Sequence, residues 1–135
     1  MSLALRPYQR LIAWKEAHNL CLWIYKMTKA FPTVELYRLT NQMCRSASSA
    51  ATNIVEGSKK ESKKERARFY ETSLCSLEEL HYQCQLSYDL EYIKVEQFEK
   101  AEDQIRRTSF LVSKLRQSCF KEASTTSTTS ATSTT

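Results

Sequence analysis

The most chemically suggestive residues in this sequence are six cations within positions 59–68. Two glutamates, Glu61 and Glu65, lie among them, so the stretch has a net charge of +4 out of the chain's +5. Lysine and arginine bind phosphate oxygens, and the free amides at a helix N-terminus favour the same ligand. A solvated charged turn, the commonest role of such runs, is the alternative. We predict a site for RNA, DNA or another anion formed by Lys59, Lys60, Lys63, Lys64, Arg66 and Arg68.

A second set of polar residues recurs at spacings of three and four, which places them on one face of a helix. The set contains a cation, a carboxylate and two amide side chains. Such a face can bind a ligand, or its members can pair with one another and with a neighbouring helix or subunit. Both interpretations stay open. The residues are Gln42, Arg45, Ser49, Asn53 and Glu56.

The patterns that would indicate catalysis or a metal site are incomplete. Glu78 and His81 form a Glu-x-x-His pair, but a di-iron bundle site needs a second such pair on another helix. The other histidine, His18, follows Lys15 at that spacing. The sequence also lacks a Gly-x-Ser-x-Gly segment and a glycine-rich phosphate loop. We therefore expect no catalytic residue, no metal and no cofactor.

Long helices must position these residues, because the chain contains one glycine and two prolines among 135 residues. No alternating strand pattern bounded by turns is present. Apolar residues at spacings of three and four predict four helices over 7–31, 34–56, 62–90 and 95–120. Short connections between them predict an all-α, antiparallel up-down four-helix bundle.

Individual residues predict where these helices begin and end. Pro32 ends the first helix, and Thr33 caps the second. Gly57 ends the second helix in the left-handed conformation that costs glycine nothing. Ser62 and Glu65 then form a capping box that starts the third helix. The basic residues therefore surround the turn between the second and third helices.

Composition predicts three regions: a flexible N-terminus over 1–6, the helical bundle over 7–120, and a tail over 121–135. The last twelve positions are eleven Ser/Thr residues and one alanine, a composition that cannot offset the entropy of ordering, so we predict a disordered tail. Five scattered cysteines, and the lack of a signal-peptide pattern or a long apolar run, predict a reduced, cytoplasmic protein that does not contact a membrane.

The first helix also carries surplus apolar surface. Positions 20–25 read Leu-Cys-Leu-Trp-Ile-Tyr and are apolar nearly all round the helix. A helix of this kind in a small protein usually faces both its own core and a neighbouring subunit. The middle of the second helix, 46–52, is rich in small residues and allows another helix to approach closely. The sequence therefore predicts self-association.

Several segments, in order and at matching separations, resemble the family of 23S ribosomal RNA intervening-sequence proteins. They cover nearly all of 7–120. Ala51 and Glu91 stand where that family usually has proline and glycine, and the family usually has another glycine near Cys75. The matching segments are Leu-Ile-Ala-Trp at 11–14, Tyr-Lys-Met-Thr-Lys-Ala-Phe-Pro at 25–32, Tyr-Arg-Leu-Thr-Asn-Gln at 37–42, Ser-Ala-Ala-Thr-Asn-Ile-Val-Glu-Gly at 49–57 and Ser-Leu-Glu-Glu-Leu at 76–80.

The resemblance implies an antiparallel bundle that assembles into a ring-like homopentamer. It also implies kinship with the accessory variability proteins of diversity-generating retroelements, which are basic and associate with a reverse transcriptase and nucleic acid. The expected function is a non-enzymatic, oligomeric protein that binds RNA or DNA through a basic surface, as an intervening-sequence or retroelement accessory protein. The alternative is an adaptor that docks a protein partner, such as a reverse transcriptase, without binding nucleic acid itself.

Overall fold

A computed structural model describes residues 4–126 of the chain, with side chains for residues 4–120. No strand occurs among these residues, so the predicted all-α class is confirmed. The first three residues of the predicted flexible N-terminus and positions 127–135 of the predicted tail lie outside the described residues. Four α-helices form the fold: α1 Ile12–Thr28, α2 Leu39–Lys59, α3 Lys63–Asp89 and α4 Val95–Thr126.

The predicted third helix agrees with α3 to within one residue at each end, and α4 begins at the predicted Val95. The helix α4 continues to Thr126, six residues past the predicted end of the bundle. The predicted first helix starts too early, because Pro7–Arg10 is a separate 3-10 turn and Leu11 has an extended backbone. The Arg6 backbone N–H donates to Gln9 Oε1 at 2.7 Å, which stabilises that turn.

The predicted start of the second helix is wrong. Thr33–Glu35 forms a 3-10 turn, and α2 begins at Leu39, four residues after Glu35. Glu35 accounts for the difference, because its Oε1 accepts the Leu39 backbone N–H at 3.4 Å and its Oε2 accepts the Tyr92 hydroxyl at 2.7 Å. The carboxylate therefore joins the α1–α2 connection to the α3–α4 connection, which no local pattern around Thr33 reveals.

The predicted role of Gly57 as a left-handed helix stop is also wrong. Gly57 lies within α2, which continues to Lys59, and its backbone is not left-handed. A Cβ atom at this position would lie 2.8 Å from Tyr70 Cε1 and 3.1 Å from Phe69 Cβ. Gly57 thus lets α2 and α3 approach each other closely. Among the described residues, the left-handed conformation occurs at Glu91, with φ 65°.

The four helices enclose one apolar core. Each of α1 and α3 packs against both α2 and α4. The α2–α3 contact includes a buried hydrogen bond from Ser73 Oγ to the Ala50 carbonyl at 2.7 Å, so the small residues of α2 do permit close approach. The largest apolar side chains with less than 2% exposure come from all four helices: Leu20, Ile24, Met43, Ile54, Leu77, Leu80 and Val112.

The N-terminal 3-10 turn and the late part of α4 both lie at the α2–α3 end of the molecule. Tyr8 lines a surface groove of about 470 Å³ together with Val55 and Lys59 near the end of α2. The pKa of Tyr70 is raised first by burial and second by the nearby Cys119 thiol. Tyr70 lies early in α3 and Cys119 lies late in α4, so the late part of α4 is beside the first turns of α3. The opposite end is formed by the two connections that Glu35 and Tyr92 join.

Ser62 caps α3, as the sequence predicts. Its Oγ accepts the Glu65 backbone N–H at 3.3 Å, which forms one half of the predicted capping box. Replacing Ser62 with alanine should lower the free energy of unfolding by about 1 kcal/mol, measured by urea denaturation, because a helix N–H loses its acceptor. The control Ser62→Asp should keep most of the stability, since aspartate is an equally good cap. Equal stability of Ser62→Ala and the wild type would contradict the cap.

Candidate nucleic-acid interface

The predicted basic residues surround the junction between α2 and α3. Lys59 is the last residue of α2, and Lys64 and Arg68 are one turn apart on α3. All three side chains are exposed, and none belongs to an ion pair among residues 4–120. Lys63 is exposed as the first residue of α3. The structure therefore brings these four cations to one end of the molecule.

The two other predicted cations are half-buried and help to form the turn. Arg66 Nε donates to the Lys60 carbonyl at 2.6 Å, which satisfies a backbone oxygen just after α2 ends. Lys60 Nζ lies 5.2 Å from the centroid of the Phe69 ring, in a cation–π contact. These two residues therefore position the exposed cations, in addition to contributing their own charge.

The two glutamates of the basic stretch do not pair with its cations among the described side chains. Glu61 and Glu65 are exposed, and neither forms an ion pair in the part of the chain with described side chains. The first turn of α3 also presents backbone amides at the positive end of the helix dipole. This junction can therefore bind an anion through several separate donors at once.

A surface groove of about 550 Å³ runs along α3 beside the junction. Its lining contains two cations and two carboxylates, so a phosphate has more favourable positions at the α2–α3 junction than along the groove. Phe69 supplies an aromatic surface there. The lining residues are Lys60, Glu65, Arg68, Phe69, Glu71, Thr72 and Cys75.

The predicted polar face of α2 divides into two parts. Its centre faces α3, where Ser49 Oγ lies 2.9 Å from Ser76 Oγ and Asn53 Nδ2 donates to the Ser49 carbonyl at 2.8 Å. Gln42, Arg45 and Glu56 are exposed towards the two ends of the face. The helix-interface interpretation therefore describes the centre, and the ends remain accessible.

Gln42 and Arg45 also line a polar cavity of about 520 Å³ between α2 and α3. The sequence did not indicate the α3 half of this cavity, which Glu79 and Gln83 supply. A polar side chain at position 83, beside the buried Leu80 and Cys84, was the available signal. The remaining lining residues are Tyr37, Asn41 and Ser46.

The Glu78–His81 pair does not assemble with further ligands. His81 Nε2 lies 3.3 Å from Glu102 Oε1 on α4, and Glu78 is exposed. His18 stacks on Trp14, with a ring separation of 4.8 Å. Within the described residues, no three or more His, Cys, Asp or Glu side chains are grouped as metal ligands.

The five cysteines all lie in the described region, and none of them forms a disulfide there. Cys75 is exposed, whereas Cys84 and Cys119 are buried in the core. Burial raises the pKa of Cys84 to about 12. Burial, and then the nearby Cys44, raise the pKa of Cys21. Cys84 therefore stays protonated at neutral pH and acts as a small apolar side chain.

None of the described helices is long and apolar enough to span a bilayer.

Comparison with solved structures finds a similar fold in a protein of unknown function from the S23 ribosomal protein family of Bacteroides thetaiotaomicron VPI-5482. The TM-score is 0.73 at 20% sequence identity, over 78% of this chain and 96% of that chain. No curated protein matches the sequence. The profile of the 23S rRNA-intervening sequence protein family matches residues 9–114. Because that match spans most of the chain, including the α2–α3 junction, the protein belongs to the 23S rRNA-intervening sequence protein family.

Proposed function

We propose that this protein is a non-enzymatic, oligomeric accessory protein that binds RNA or DNA at the α2–α3 junction. The observation that carries the proposal is the group of exposed cations, Lys59, Lys64 and Arg68, which form no ion pairs among the described residues. Phosphates would neutralise this group while accepting bonds from the first amides of α3. Contacts of this kind recognise the backbone of the strand and carry little sequence information.

The same proposal includes self-association, in which antiparallel bundles assemble into a ring-like homopentamer in the cytoplasm. Leu22 and Tyr25 support it, because each side chain is about half exposed on α1 (52% and 49%). Val34, Leu36 and Tyr37, in the connection that follows α1, add further exposed apolar surface. Five copies would carry a formal charge of +25, a field that attracts nucleic acid over long range.

The exposed apolar side chains also favour a second candidate, an adaptor that docks a protein such as a reverse transcriptase without binding nucleic acid. Under this alternative, the basic residues serve solubility and the apolar surface binds the partner. The two candidates differ in one measurable respect, because only the first predicts salt-dependent binding of bare nucleic acid.

The test is fluorescence anisotropy with single-stranded and double-stranded oligonucleotides across a salt series. Replacing Lys64 and Arg68 together by glutamine should weaken the binding of all sequences about equally. It should also reduce the slope of log affinity against log salt by roughly 1.4 to 1.8, because two phosphate contacts are lost. Helix content should not fall, since one of these cations lies in the first turn of α3, where it is electrostatically disfavoured.

The matched control replaces Lys26 and Lys29, exposed cations at the end of α1, by glutamine. It removes the same charge at the other end of the molecule from the junction, so the salt slope should change less than in the junction variant. Equal effects of the two variants would show a general charge effect instead of a site. Unchanged affinity and slope in Lys64→Gln/Arg68→Gln would exclude the α2–α3 junction as the binding site, whereas the absence of salt-dependent binding in the wild type would favour the adaptor.

A further inference from the structure

The polar cavity between α2 and α3 holds two charged groups on opposite helices that do not pair with each other. Arg45 on α2 and Glu79 on α3 are both exposed at the cavity, and neither takes part in an ion pair found among residues 4–120. A cavity of about 520 Å³ lies between the two helices. A ligand that offers a hydrogen-bond donor to one group and an anionic oxygen to the other could satisfy both.

Gln83 provides the second, independent observation. It lines this cavity with only 8% of its surface exposed, and its Oε1 atom is buried without a hydrogen-bond partner. Buried amide oxygens in folded proteins nearly always accept a hydrogen bond from protein, water or a ligand. Gln83 lies one helical turn after Glu79, so two acceptors project from the same face of α3. A ligand with two adjacent N–H donors can therefore bond to both the Glu79 carboxylate and the Gln83 Oε1 atom.

Guanine fits this arrangement of acceptors. The Watson–Crick edge of an unpaired guanine presents two neighbouring donor groups, N1–H and N2–H, beside its O6 acceptor, whereas adenine, cytosine and uracil each present a single donor group on this edge. Tyr37, with 87% of its surface exposed at the rim, can stack on the base, and Arg45 can bind a flanking phosphate.

We propose that this cavity binds an unpaired guanine of the strand whose phosphates lie on the α2–α3 junction. The inference rests on the proposed nucleic-acid function and adds base recognition to it. Arg45 and Lys59 lie fourteen residues apart on α2, a rise of roughly 21 Å along the helix. A single strand of several nucleotides can span that length, so one strand can contact both places.

The test uses nine-nucleotide uridine strands with G, A, C or U at the centre, in ribose and deoxyribose forms, measured by anisotropy at fixed salt. The guanine strand should bind about tenfold more tightly than the uridine strand. The same preference in both sugar forms would assign it to the base. In Gln83→Leu and in Glu79→Leu the guanine preference should fall to about onefold, because each change removes one of the two acceptors. The salt slope should stay unchanged, because neither change removes a phosphate contact.

The matched control is Gln85→Leu, on α3, whose amide bonds Asp89 outside the cavity at 3.0 Å. It should keep the guanine preference. Salt-dependent binding without base preference in the wild type would overturn this inference and leave the proposed function intact. Failure of every strand to bind at low salt would overturn both. A change in oligomer mass by light scattering in either cavity variant would identify the cavity as a protein–protein contact, which would also overturn the inference.

Discussion

Replacing Gly57 with alanine should destabilise the protein by about 1–2 kcal/mol. The added Cβ would lie 2.8 Å from Tyr70 Cε1 and 3.1 Å from Phe69 Cβ, closer than packed carbon atoms approach. Overpacking of this kind typically costs about 1–3 kcal/mol. Alanine is the better helix former by roughly 0.5–1 kcal/mol, which offsets part of that cost. Tyr70 is buried, with 5% of its surface exposed, so its ring cannot simply move into solvent.

Urea denaturation followed by circular dichroism measures this effect, and Gly57→Val should be more destabilising than Gly57→Ala. Thr52→Ala, at an exposed position of the same helix, is the matched control and should change stability little. A stability gain in Gly57→Ala of the size expected from helix propensity alone would contradict the close packing of α2 on α3.

Stability should also fall steeply at alkaline pH because of Cys84. Burial raises the pKa of this thiol in the folded state to about 12, against an ordinary value of 9.0. The folded state therefore holds the proton more tightly than the unfolded state does. The contribution of the protonated Cys84 thiol to the free energy of unfolding is complete below pH 9. It is lost as the pH rises towards 12, at roughly 1.4 kcal/mol per pH unit. Burial also raises the pKa of Tyr70, which adds to the loss in the same direction.

The measurement is the free energy of unfolding by urea at several values between pH 8 and pH 11, with a thiol reductant present. Cys84→Ala should start less stable at pH 8, because it leaves a small cavity, but its stability should fall less with pH. Cys75→Ala removes an exposed thiol and should keep the wild-type pH dependence. Identical pH dependence in Cys84→Ala and the wild type would exclude this thiol as the cause.

Local signals predicted the parts of the fold that short segments determine. Ser62 and Glu65 mark the start of α3, and the structure contains that cap. The start of α2 was predicted wrongly, because Thr33 resembles a cap while a carboxylate two residues later bonds Tyr92, far along the chain. Gly57 was predicted to end α2, whereas glycine fits this position because a Cβ atom there would collide with Tyr70 on α3. Both errors arise from tertiary contacts that sequence spacing does not encode.

In the candidate site, too, local signals predicted some of the residues, and tertiary contacts determine the roles of the others. Charge density along the chain predicted the cations at the α2–α3 junction. The additional role of Arg66 depends on the turn that brings the Lys60 carbonyl within 2.6 Å of its Nε. The sequence placed Gln42 and Arg45 on a polar face of α2, and both residues line the α2–α3 cavity. Glu79 and Gln83 join it from α3, so their role follows only from the way the two helices pack.

The location of Tyr8 and Cys119 has a practical consequence for experiments on the intact protein. Tyr8 near the N-terminus and Cys119 late in α4 both lie at the α2–α3 end, beside the basic residues. An affinity tag, fluorophore or fusion partner attached beside Tyr8 or Cys119 would therefore lie close to the proposed contact surface. A histidine or acidic tag there would add charge of its own to every binding measurement. Labels belong at the opposite end, where Val34 is exposed in the α1–α2 connection.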